Sequence, residues 1–128
     1  MKHLFIFVAL SLLLTACDSR DAKIQQQVTG TWVVDVDQHI RSLNIIKPDG
    51  RFAAKVTGFT NGSVIIIEGT FQARGGELIE TVTKSSQKNE KVPFVVHGQI
   101  IRLNEREMVT KWDTKPQSVV VVARRVQK

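Results

Sequence analysis

From Gly30 onward the chain is a succession of short runs rich in Val, Ile, Thr and Phe, broken by turn residues at intervals of roughly 8 to 15 positions. β-Branched and aromatic side chains suit a pleated, half-buried surface, and no stretch here carries the apolar period of a helix. Eight strands are expected: Thr31–Val36, Ile40–Lys47, Arg51–Thr57, Ser63–Ala73, Glu77–Lys84, Val92–Asn104, Glu107–Asp113 and Ser118–Val126. Alternation sets their faces. Trp32, Val34 and Val36 share one side of the first strand, and Phe52, Ala54 and Val56 alternate with Arg51, Lys55 and Thr57 in the third. Pro48-Asp49-Gly50, Asn61-Gly62 and Gly75-Gly76 supply tight turns, because Pro presets φ and Gly accepts a positive one. Gly69 and Gly98, inside strands, mark places for a bulge or bend. The run Val119-Val120-Val121-Val122 reads as buried on both faces, or with its outer face against the N-terminal segment.

Eight strands with short connections and no long crossover most simply form an antiparallel up-and-down barrel, with a two-sheet sandwich as the alternative. Closure removes the exposed edges that so Val-rich a chain would otherwise offer for aggregation. Gly30-Thr31-Trp32 is similar to the Gly-x-Trp opening of lipocalins. Pro48-Asp49-Gly50-Arg51-Phe52 and Glu68-Gly69-Thr70-Phe71 look like the turn and strand pattern of small bacterial lipocalin-like domains. The resemblance spans residues 30 to 126. It implies that Trp32 closes the barrel floor beneath an Arg near the last strand. Arg124 or Arg125 takes that part, since alternation turns one of the two inward. The domain, 30–128, is shorter than an ordinary lipocalin, with brief strands and no long lid loop, which speaks against a large ligand cavity; a barrel of eight strands can be filled by its own side chains.

Ahead of this domain, Leu4 to Leu14 is apolar apart from Ser11 and follows Lys2 and His3, the layout of a secretory signal peptide. Eleven residues of helix rise about 16 Å against a hydrocarbon core of roughly 30 Å, too short to span. Leu14-Thr15-Ala16-Cys17 resembles the lipobox of bacterial lipoproteins. That resemblance, which covers residues 1 to 19, implies cleavage before Cys17, a diacylglycerol on its thiol and an acyl chain such as palmitate on its new amino group. Three chains exceed the two signals that stable anchoring requires. An ordinary signal peptide cut after Ala16, leaving a free thiol, is the alternative. Asp18, backed by Ser19, resembles the signal that retains lipoproteins in the inner membrane of enteric bacteria; the periplasmic face of that membrane is the expected location, with the outer membrane as alternative. Residues 17–29 read as a lipidated tether in which Ile24 and Val28 fall on one helical face. Cys17 is the only cysteine, so no disulfide forms within the chain.

Removing the first 16 of 128 residues leaves 112, enough for one domain with a real core. Only Lys2 is lost among the 18 basic residues, so the net charge of +6 falls to +5. A mildly basic surface beside anionic lipid is drawn to the headgroups, and nothing resembles a nucleic-acid recognition motif.

Chemistry-bearing constellations are sparse. His39 and His97 lack a second ligand at metal spacing, and Ser63, Ser85, Ser86 and Ser118 lie in no nucleophile motif. Asp35 and Asp37 share a strand face, suited either to solvent or to holding a cation or basic partner. Glu68 and Glu80, in neighbouring strands, are candidates for a carboxylate pair. We therefore expect no catalytic residue, metal or cofactor. The expected role is a membrane-anchored, non-catalytic interaction module of the cell envelope. The alternative is carriage of a small hydrophobic ligand. Outward Val64, Ile66, Val120 and Val122 would serve the first; inward Ala54, Gly69 and Gly98 would leave room for the second.

Overall fold

The computed structural model describes residues 19–127; the signal peptide, Cys17 and Asp18 lie outside them. Eight strands follow in order: β1 (Gly30–Asp35), β2 (Arg41–Ile46), β3 (Arg51–Thr57), β4 (Ile65–Arg74), β5 (Glu77–Ser85), β6 (Phe94–Leu103), β7 (Glu107–Trp112) and β8 (Val119–Arg125). Each pairs antiparallel with the next. β8 returns to β1 through Trp32↔Arg125 and Val33↔Arg124, so the sheet is a closed up-and-down barrel and not a sandwich. The expected turns close as their chemistry dictates. At Pro48-Asp49-Gly50, Gly50 (φ +90°) donates to the Lys47 carbonyl and Asp49 accepts from the Arg51 amide. Gly75 and Gly76, both at positive φ, join β4 to β5.

Two register shifts bend the wall, at Glu68/Gly69 and at Ile100/Arg102. Gly69 has the expected role, since a Cβ there would run into the Thr81 carbonyl oxygen. Gly98 differs: the bend falls two residues later, and Gly98 instead makes room for Trp112, whose ring would lie 2.7 Å from an added Cβ.

The segment read as a tether is a helix, α1, over residues 19–28, and it closes one end of the barrel. Ile24 and Val28 share its inward face, Val28 fully buried. Polar side chains fix the docking. Asp21 accepts from the amides of Gly75 and Gly76 at 2.9 and 3.0 Å, which holds its carboxyl below the ordinary range. Gln25 donates to the Phe71 carbonyl and accepts from the Ala73 amide. The last four helical carbonyls, normally orphaned, all find donors. Gln25 is served by Thr29 Oγ1, Gln26 by the Thr29 amide, Gln27 by Arg125 and Val28 by Trp32 Nε1. The floor is thus built jointly by α1, β1 and β8.

The Val119–Val122 run departs from expectation. Val121 faces inward, while Val120 and Val122 are about half exposed. A single barrel wall has one wet face, and α1 packs beneath the floor and leaves this wall uncovered.

Candidate functional site

Arg125 decides the floor. Its guanidinium lies 4.3 Å from the Trp32 ring centroid and donates to the carbonyls of Gln27, Thr29 and Glu105. Arg124, one residue earlier, points outward to Asp35 at 2.6 Å. A cation over an indole face, hydrogen-bonded on three sides, seals this end and neutralises the C-terminal dipole of α1.

Above Trp32 the barrel is hollow. A cavity of about 320 Å³ runs from Trp32 and Ile46 at the floor to Thr114 and Val119 at the opposite end. That end carries the connections 36–40, 58–64, 86–93 and 113–118. The cavity is small, as the short domain without a lid loop implies, yet side chains do not fill the barrel. The reason is uneven inward bulk. A row of edge-to-face rings, Phe52 to Phe71 at 5.3 Å and Phe71 to Trp112 at 5.7 Å, packs the β3–β4 side and reaches across to β7. Val34, Ser42, Asn44, Thr110, Val121 and Ala123, on β1, β2, β7 and β8, are too small to meet it. Ala54, Gly69 and Gly98 do not make the space; none of them lines it, and the two glycines are crowded by Thr81 and Trp112.

The lining is apolar but for a few groups. Asn44 donates through Nδ2 to the Ser42 hydroxyl and carbonyl at 3.2 and 3.4 Å. Thr110 Oγ1 is buried without a hydrogen-bond partner. Among the described residues, Glu80 is the one ionisable side chain that lines the cavity. It faces inward from β5 between Phe71 on β4 and Val96 on β6. Desolvation alone pushes its carboxyl up to about 7 from the ordinary 4.5, because a bare carboxylate in an apolar setting loses its hydration without gaining a partner.

No protein family model, curated protein or solved structure matches this chain. The geometry therefore carries the functional reading.

The other residues singled out from the sequence lie elsewhere. Glu68 does not meet Glu80: alternation along β4 turns Ile67, Gly69 and Phe71 inward and Glu68 outward, exposed opposite Lys84, whereas Glu80 is paired with the inward Phe71. Asp35 is held by Arg41 and Arg124, and its carboxyl is lowered by them, Arg41 first. Asp37 accepts the His39 and Ile40 amides in the next turn, which lower it likewise. The two aspartates thus serve separate structures. His97 sits on the outer wall 3.9 Å from Glu77. Ser19 is exposed at the start of the described helix. Thr110 and Asn44 were not foreseen; their signal is a polar residue at an inward position of an alternating strand, the same signal that Glu80 gives between Leu78 and Val82.

Proposed function

We propose that this protein is a lipid-anchored protein of the bacterial envelope whose barrel takes up a small, largely apolar ligand. The hollow carries the reading. Its volume of about 320 Å³ falls at the lower end of ligand pockets, and its lining joins hydrophobic walls to a few convergent polar groups. The floor formed by Trp32 and Arg125 supports a lipocalin-like reading of the barrel. Leu14-Thr15-Ala16-Cys17 supports acylation at Cys17, and Asp18 supports retention at the periplasmic face of the inner membrane. The role is binding, with no chemical step.

Filling the hollow tests this. Ala123→Phe places a ring in the cavity from a buried position on β8. The full chain should bind the neutral fluorophore N-phenyl-1-naphthylamine, and the variant, shown to be folded by circular dichroism, should bind it about tenfold more weakly. Equal binding by both proteins would remove the hollow as the site.

A second reading, contact with another envelope protein through the barrel wall, draws on the outward Val120 and Val122, 56% and 48% exposed. Photocross-linking from position 120 in cells tests it; recovery of no discrete adduct would dispose of it.

A further inference from the structure

The hollow has a chemical bias beyond being apolar. Glu80 projects into it, no hydrogen bond or ion pair engages its carboxylate among the described residues, and no basic side chain lines the space. Thr110 Oγ1 waits unpartnered on the same lining, and Asn44 has its Nδ2 committed to Ser42. The Thr110 hydroxyl can donate or accept, but an ionised Glu80 only accepts, so the complement that Glu80 lacks is a donor. Phe71 is paired with Glu80 across β4 and β5, and its ring meets the indole of Trp112 edge to face.

We infer that the hollow selects a small apolar molecule bearing a protonated amine, with its ammonium set against Glu80 and its apolar body among Phe71, Trp112 and Trp32. This rests on the binding role proposed above and names the class of ligand. An ammonium offers the donors that the carboxylate lacks, and aromatic faces attract cations. A neutral hydrocarbon would leave the carboxyl unpaired, and an anion would meet it as a like charge. Among the described residues no other titratable group faces Glu80 from β4, β6 or the remaining lining, so its ionisation governs the preference. Because burial holds its carboxyl near 7 in the empty barrel, amine binding tightens as pH rises through that value.

The two tryptophans of the chain, Trp32 and Trp112, both line the hollow, and there is no tyrosine, so intrinsic fluorescence reports on this space. The full chain in neutral phosphatidylcholine vesicles is titrated with 2-phenylethylamine, 2-phenylethanol and 3-phenylpropanoate. The amine should bind about tenfold or more tighter than the alcohol near pH 8, with the margin shrinking towards parity near pH 5.5. Glu80→Gln should bind amine and alcohol alike, its retained alcohol binding showing that it is folded; the pH series on the unaltered chain is decisive without the variant. Alcohol binding with no amine preference at pH 8 overturns the inference and leaves the binding role intact. Tightest binding of the carboxylate overturns it in favour of a protonated Glu80 meeting an acid. If none of the three probes changes the fluorescence, the binding role falls and the inference with it.

Discussion

Glu80→Gln should make the protein more stable at neutral pH, and the gain should appear only as pH rises. The folded-state value of about 7 lies above the ordinary 4.5 that the unfolded chain shows. Below pH 4.5 both states hold the proton, and Glu80 costs nothing on this account. Between 4.5 and 7 the unfolded chain releases the proton while the folded one keeps it, so stability falls by up to about 1.4 kcal/mol per pH unit. Above 7 the loss is complete, at about 3 kcal/mol, from the gap between 4.5 and 7. Gln has nearly the same shape and does not titrate. Urea unfolding of both proteins at a series of pH values isolates the effect, because the aspartates with lowered values, Asp21, Asp35, Asp37 and Asp49, are common to both and cancel in the difference. From pH 5 to pH 8 the variant should gain about 2 to 3 kcal/mol on the unaltered chain. Two curves that stay parallel over that span would mean that Glu80 is hydrated or paired when folded, and the argument for a lone buried carboxyl would fail.

Arg125→Ala should cost about 3 kcal/mol or more, because it leaves the carbonyls of Gln27, Thr29 and Glu105 without their donor and uncovers Trp32; the adjacent Arg124→Ala breaks only an exposed pair with Asp35 and should leave the urea midpoint nearly unchanged. Similar urea midpoints for the two variants would refute the division of labour between them. Gly98→Ala should cost about 1 to 3 kcal/mol by driving a methyl into Trp112 and Thr110, with a matching change in near-ultraviolet circular dichroism; an unchanged spectrum and midpoint would show that the ring does not rest there.

The barrel was legible in the sequence because each of its determinants is local. Alternation fixes which residues of a strand face inward, as with Phe52, Ala54 and Val56, and turn residues fix where each strand stops, so β3 begins and ends where the pattern places it. The helix at 19–28 was not legible for the opposite reason. Its own sequence gives it a two-residue apolar face, Ile24 and Val28, and its remaining support comes from Phe71, Ala73, Gly75, Gly76 and Arg125, all distant in the chain. Glu80 was visible as a polar residue between Leu78 and Val82, but its partner was misassigned. Alternation separates the two: Ile65, Ile67, Gly69 and Phe71 face inward on β4, which turns Glu68 outward, and Glu80 is set opposite the inward Phe71, a pairing that only the register between the strands supplies.

The position of the hollow follows from how bulk is distributed round the barrel. Phe52 and Phe71 on adjacent strands, together with Leu78 and Trp112, concentrate large side chains on the β3–β5 side and at the top of β7. Facing them are Ser42, Thr110 and Ala123, whose combined reach leaves the gap. A barrel selected only for stability would close that gap with one larger residue, since packed interiors tolerate few voids bigger than a water molecule. It would also replace Thr110, whose hydroxyl is buried without a partner, and Glu80, whose half-buried carboxyl is held up to about 7 by desolvation, with apolar side chains. The gap and both unpartnered groups occur in the same lining, on strands β5, β7 and β8. An occupant that filled the space and donated a hydrogen bond to Glu80 would relieve two of these costs at once, and on that coincidence the proposed binding role rests.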